Sequence, residues 1–303
     1  VAASESAGIW TATFAVTAGT GDTGDDIEVT ATDDAGNTTL ATDTSDPDLD
    51  TTAPDVTITS DTSSLISGQT ATLTFDFTEN VVGFEDSDIT TTGGSLSSVT
   101  MDGSDTTVYT AVFTPTSDST GVASITVADA SYPDAAGNAG TAGTSPSISI
   151  DTLAPGLVIT SDVDALGVGE VATLTFTFSD TPTGFEDSDI TVTGGTLSPV
   201  TVDGSDPTIY TAVFTPTEDS TDTPSITVAA GSYTDSVGNA GTEGTSPSIT
   251  VDTAIPGVTL SADAAILSGV FQVTATFDEE MTGFRRRDIT VGNGRASNLA
   301  SAD

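Results

Sequence analysis

The sequence predicts an all-β chain of two-sheet sandwiches joined in tandem. Three observations carry that prediction. Apolar and polar residues alternate over short runs, the period of a strand with one buried face. Turn residues punctuate these runs at regular spacing, with no amphipathic helix between them. The whole pattern also returns every 101 residues, since the seam prolines are Pro54, Pro155 and Pro256. A period that long belongs to an array of complete domains and not to a solenoid of small repeats.

Residues 51–151 contain one full copy. Val56-Thr57-Ile58 reads as a first strand. Ala71, Leu73, Phe75 and Phe77 alternate with Thr72, Thr74 and Asp76, which gives a second strand with Phe75 and Phe77 inside. Residues 78–88 form an acidic loop. Ile89-Thr90-Thr91-Thr92 is a third strand, ended by Gly93-Gly94. Val99-Thr100-Met101 runs into an Asp-Gly turn. Tyr109, Ala111 and Phe113 then share the inner face of a strand that Pro115 closes. Ile125-Thr126-Val127 is the penultimate strand, Asp134 to Asn138 a turn, and Ile148-Ser149-Ile150 the last strand. Residues 152–252 repeat this closely, with Phe176, Phe178, Tyr210 and Phe214 at the matching inner positions. The same logic gives each full copy about seven strands, enough for a two-sheet sandwich with its own core.

The flanks are partial copies. Residues 1–50 read as a second half: Trp10-Thr11-Ala12-Thr13-Phe14 is a half-buried strand, Ile27-Glu28-Val29 another, and Asp34-Ala35-Gly36-Asn37 a turn. Asp46, Asp48 and Asp50 follow at alternate positions. Residues 253–303 read as a first half ending after a third strand near Ile289, with Phe277 and Phe284 at core positions. The two partial copies complement one another in sequence. The expectation is that residue 303 of one copy adjoins residue 1 of the next, through a covalent repeat or through strand addition between subunits.

Charge limits the possible partners. Asp and Glu number 45, Lys and Arg number 4, His is absent, and the formal net charge is −41. All four arginines lie at or after Arg285, and every acid except Asp288 and Asp303 precedes them. Such a polyanion does not bind nucleic acid by neutralising phosphate. It is also repelled by anionic membrane surfaces. No apolar run approaches the ~18 residues of a spanning helix, so no membrane insertion is expected. Self-repulsion on this scale calls for compensating cations or salt. Nucleophilic catalysis lacks the usual activating bases, because His, Cys and Lys are all missing. The chain is therefore expected not to be an enzyme.

Four motifs point to a family: the seam Asp-Thr-x-x-Pro; the block from Gly83 to Ile89, repeated from Gly184 to Ile190; the strand Tyr109 to Pro115, repeated from Tyr210 to Pro216; and the turn ending Gly137-Asn138, repeated at Gly238-Asn239. Together they resemble bacterial immunoglobulin-like domains, which build the long extender regions of biofilm-associated and calcium-dependent adhesins. The resemblance implies tandem immunoglobulin-like sandwiches in a linear rod. Its parts are a C-terminal half (1–50), two full domains (51–151 and 152–252) and an N-terminal half (253–303). It implies an extracellular, cell-surface stalk whose partners are adjacent copies of the repeat, end to end. An S-layer or filament subunit and a carbohydrate- or surface-binding module are the alternatives; the latter needs an exposed aromatic platform.

Immunoglobulin-like topology brings the loop after the second strand to the same pole as the last hairpin loop. At the first seam this gathers Asp50, Glu79, Glu85, Asp86, Asp88, Asp134 and Asn138. At the second it gathers Asp151, Asp180, Glu186, Asp187, Asp189, Asp235 and Asn239. Asp86 and Asp88, like Asp187 and Asp189, are two apart and face one way if the segment is extended. Calcium accepts six to eight oxygens and suits such a set. The other reading of these acids is a solvated face that keeps the chain soluble. Arg285-Arg286-Arg287 stands where the full copies carry Glu-Asp-Ser. It is expected either to neutralise nearby acids or to make lateral contacts with a neighbouring molecule.

Overall fold

The computed structural model describes residues 3–6, 8–13, 28–43, 50–263 and 269–300. Phe14, Ile27, Asp46 and Asp48, used in the sequence reading, lie outside the described residues. By contacts the chain divides into two compact units. One comprises Val1–Pro155 with Thr234–Gly241, and the other Gly156–Tyr233 with Thr242–Asp303.

In the first unit, residues 51–151 form two facing sheets. One runs in the order Thr100–Met101, Val108–Pro115, Ala71–Phe77, Val56–Ser60, and Gly94–Leu96 also pairs with Val108–Pro115. The other runs Gly143–Thr144, Thr120–Val127, Ile148–Asp151, Ser64–Leu65, and Ile89–Thr92 also pairs with Thr120–Val127. Every pairing is antiparallel except that of Ser64–Leu65 with Ile148–Asp151. The alternating pattern has the expected result. Ala71, Leu73, Phe75, Phe77, Ala111, Phe113, Ile125, Val127, Ile148 and Ile150 are buried between the sheets, and Thr72 is exposed. Thr74 and Tyr109 are half-buried, because each has a neighbouring strand or ring that covers only part of it.

Gly93-Gly94 ends the third strand, Ile89–Thr92, as the sequence suggests. It is the corner where the chain crosses from one sheet to the other, and a new strand begins at Gly94. Gly93 has φ +79°, and a Cβ on Gly94 would lie 2.2 Å from the Thr114 carbonyl oxygen. Only glycine fits so close a backbone approach.

In the second unit, Leu157–Ser161, Ala172–Phe178, Ile209–Pro216 and Gly195–Leu197 make one sheet, with Thr201–Val202 beside Ile209–Pro216. Ile190–Thr193, Ser225–Val228 and Gly244–Thr245 make the other, and Ala165–Leu166 pairs with Thr250–Val251. Phe176, Phe178 and Phe214 are buried, and Tyr210 is half-buried. The two copies differ in two strands, and the last one shortens from Ile148–Asp151 to Thr250–Val251. Thr120–Val127 has eight residues, whereas its counterpart Ser225–Val228 has four. Pro224 stands where the first copy has Ala123, which pairs with Ile148. Proline has no N–H for the ladder, so the strand starts after it.

The partial copies form isolated hairpins. Ala3–Ser6 pairs with Ile9–Ala12, Glu28–Thr32 with Thr38–Thr42, and Val258–Ala262 with Val273–Phe277. The half-buried strand expected at Trp10 is exposed, with Trp10 at 70%. Trp10 is therefore not a core residue here. The third strand expected near Ile289 is absent: the 3-10 turn Arg286–Asp288 is followed by irregular chain. In the full copies that strand pairs with one from the second half of the repeat. No such partner lies within residues 253–303, so its backbone groups have no ladder to join.

Candidate metal centre

Two aromatic rings in the first unit set the position of its acidic loops. Phe77 ends its strand in the core, and Tyr132 is fully buried beside it, with ring centroids 4.9 Å apart and nearly perpendicular. The Tyr132 hydroxyl donates to the Thr141 carbonyl at 2.8 Å, and burial pushes its pKa up to about 12. Glu79 follows Phe77 by two residues, and Asp134 follows Tyr132 by two. A single bridge between Val81 and Asp134, with Val82 N–H donating to the Pro133 carbonyl at 2.8 Å, ties the two loops.

The result is a convergence of carboxylates. Oxygens of Asp50, Glu79 and Asp134 lie within 4.8 Å of one another. Asp134 is buried and accepts from Gly137 N–H at 2.7 Å, Asn138 N–H at 2.8 Å and Asn138 Nδ2 at 2.7 Å. The same Asn138 amide donates to the Asp50 carbonyl at 3.1 Å, so it links the seam to the turn. Gly137, at φ +93°, supplies the left-handed residue this tight turn needs. For Asp134, burial raises the pKa, but the bonds from Asn138 and Gly137 outweigh it and the net shift is downward. Glu79 shifts the other way: burial raises its pKa first, and the charges of Asp50 and Asp134 add to this. A carboxylate held this way is poised for a cation or a proton.

The donor set fits a hard cation, being all oxygen and anionic. Thr51, beside Asp50 in sequence, adds a buried hydroxyl oxygen that has no hydrogen-bond partner. Asp50, Glu79 and Asp134 would hold such an ion, with Asn138 fixing Asp50 and Asp134 from behind. A calcium ion bound there would offset two of the three carboxylate charges.

Glu85, Asp86 and Asp88 have another role. The segment is not extended, as the two-residue spacing suggested, but a 3-10 turn over Asp86–Asp88. Three residues per turn separate the two side chains instead of aligning them. Asp88 Oδ2 accepts from Glu85 N–H at 2.8 Å, Asp86 Oδ1 from Val99 N–H at 2.7 Å, and Glu85 from the Ser87 hydroxyl at 3.1 Å. The Val99 bond lowers the Asp86 pKa. These acids fold the loop, and Phe84, packed 4.9 Å from Phe77, anchors it. In the second unit, Glu186, Asp187 and Asp189 repeat the arrangement, with Asp189 accepting from Glu186 N–H at 2.7 Å and Asp187 from Val200 N–H at 2.7 Å. Asp180, also in that unit, accepts from its neighbour Thr181 N–H at 2.6 Å.

Asp151, Asp235 and Asn239 belong to the first unit. Asn239 is almost fully buried. Its Nδ2 donates to Asp235 Oδ2 at 2.7 Å and to the Asp151 carbonyl at 3.0 Å, while its Oδ1 accepts from Ser67 N–H at 2.8 Å. Asp235 is lowered overall, because its bonds from Asn239, Gly238 and Val237 outweigh burial. The sequence reading missed a further copy of this turn's chemistry. Its Asp-x-x-Gly-Asn spacing begins at Asp33, not Asp34: Asp33 accepts from Asn37 N–H and Asn37 Nδ2, both at 2.8 Å. The five-residue spacing shared with Asp134 and Asp235 was the signal that could have found it.

A family model agrees with this fold. The family model described as bacterial Ig-like domain matches residues 50–150, 151–251 and 252–303. Among solved structures, the Yersinia pseudotuberculosis adhesin InvE is 17% identical, with TM-score 0.28, covering 65% of this chain and 58% of that one. The chain thus spans less than two thirds of InvE. The D0-D1 domain of intimin is 16% identical, with TM-score 0.24, covering 64% and 96%. The I9-I11 tandem from titin is 10% identical, with TM-score 0.31, covering 75% of each chain. The comparison with curated proteins gives no match. Among the described residues, no helix is long and apolar enough to cross a membrane. With family matches running from residue 50 to residue 303, the chain belongs to the bacterial Ig-like domain family.

Proposed function

We propose that this chain is a structural extender segment of an extracellular surface protein, a stalk that sets distance and performs no catalysis. One observation carries the reading: the same sandwich returns at a 101-residue period, with its aromatic core and its turn chemistry repeated residue for residue. Repetition of this kind multiplies length and leaves chemistry unchanged. Extracellular placement at a cell surface follows from the same stalk reading.

The second part of the proposal is that calcium stiffens the seam at Asp50. Asp50 lies in the linker, while Glu79 and Asp134 lie in the sandwich, so an ion shared by all three would fix the linker to the domain. Small-angle scattering tests the stalk reading. In calcium at constant ionic strength, the maximum dimension is expected to exceed that in chelator. A chain equally compact and variable in both conditions would contradict the stiffening.

A further inference from the structure

The chain's positive charge is concentrated in one turn. In residues 253–303 the Gly-Phe-Glu-Asp-Ser-Asp block becomes Gly283-Phe284-Arg285-Arg286-Arg287-Asp288. The backbone is unchanged. Arg286–Asp288 is again a 3-10 turn, and the N-cap angles of Arg285 (φ −138°, ψ 158°) match those of Glu186 (φ −138°, ψ 167°). Asp288 Oδ2 accepts from Arg285 N–H at 2.9 Å, as Asp88 does from Glu85. Phe284 still packs on Phe277, with centroids 5.0 Å apart. The scaffold is conserved between copies, and the charge on it is inverted.

The inversion also releases a side chain. Asp86 and Asp187 each accept a backbone N–H at 2.7 Å, from Val99 and Val200. Arg286 takes that position, and a guanidinium has no acceptor with which to repeat the bond. Arg285, Arg286 and Arg287 are all exposed. Arg287 reaches Asp288 only at 3.8 Å, with its side chain 75% accessible. Successive residues of a 3-10 turn point about 120° apart. The three groups therefore cannot close on one small anion and fit a surface of separate carboxylates. This protein supplies such a surface: Glu85, Asp86, Glu186 and Asp187 are exposed on the matching turns of its full copies.

We propose that Arg285, Arg286 and Arg287 form a docking point for the carboxylate face of a full sandwich in a second copy of this chain. Arginine suits the role because its planar fork pairs with carboxylates bidentately. The net charge of −41 opposes association at long range. At ~0.1 M salt the Debye length is about 10 Å, so distant acids are screened while pairs in contact persist. This inference does not depend on the calcium centre, and chelator in the test keeps the two apart.

Sedimentation of the 303-residue chain in chelator tests it, with the triple variant R285E/R286D/R287S as comparison. That variant installs the residues the first full copy carries on the same backbone, so it is expected to fold. The wild type should self-associate at ~0.1 M salt and dissociate at ~1 M, where the Debye length is about 3 Å. The variant's association should be weaker by about tenfold or more, the scale of three exposed ion pairs. A wild type that stays monomeric at both salt concentrations overturns the proposal. Equal association of both proteins overturns it too, since the contact then lies elsewhere. Arginine-dependent binding to phosphatidylglycerol vesicles without self-association would assign the turn to a membrane instead.

Discussion

Phe77 and Tyr132 meet edge to face at 4.9 Å, and each stands two residues before a carboxylate of the Asp50–Glu79–Asp134 group. The core contact thus determines the spacing of the charges. Two loops far apart in sequence are brought to one place by rings that the hydrophobic effect buries anyway.

Phe77→Ala should therefore act twice. Cavity formation is expected to cost about 3–5 kcal/mol of stability. Calcium affinity should fall as well, because Glu79 loses the ring that orients its loop. Phe178→Ala, at the matching position in the second unit, should show the stability loss and leave the Asp50 group intact. Denaturant melts combined with calcium titration separate the two effects.

The core itself is testable at Phe176, which is fully buried and pairs across the sheet with Tyr210. Phe176→Ala should destabilise by about 3–5 kcal/mol. A loss under ~1 kcal/mol would mean that the inner and outer faces of this strand are exchanged.

Acidity should act on Glu79 in a defined direction. Its pKa is raised in the folded chain from an ordinary 4.5, by burial and by the charges of Asp50 and Asp134. A raised carboxylate pKa means the folded state holds the proton more tightly than the unfolded one. Without calcium, stability should therefore rise as pH falls through the folded pKa, and the gain is complete below 4.5. With calcium the sign for binding is opposite, since the proton competes with the ion, and affinity should drop over the same window. Glu79→Gln should remove this part of both dependences. Unchanged pH profiles in that variant would show that Glu79 does not titrate against its neighbours.

Much of the fold was legible because alternation at Ala71–Phe77 and Val108–Pro115 directly reports which face is buried. The short strands Ser64–Leu65 and Gly143–Thr144 were not, because two residues carry no period and exist only through their partners. The site was half legible. Asp50, Glu79, Asp134 and Asn138 come together as the topology requires. Glu85, Asp86 and Asp88 were misplaced, because their spacing was read as extended chain while local bonds to Glu85 and Val99 N–H groups fold it into a turn. Short acidic side chains compete for backbone donors in this way, and spacing alone does not reveal which will win. Trp10 was misread for a different reason: alternation marks an inner face only where a second sheet covers it.

The central claim is a cation-stiffened seam at Asp50, Glu79 and Asp134, and thermal unfolding tests it most directly. Wild type and the double variant D50N/E79Q would be melted in chelator and in calcium at constant ionic strength. An ion at ~100 times its Kd stabilises by about 2.7 kcal/mol, so the wild-type transition for the 51–151 sandwich should rise by about 10 °C or more. The double variant should show little or no rise. A wild type that melts identically in both buffers, or a rise of equal size in D50N/E79Q, would contradict the claim and leave these carboxylates as a solvated face.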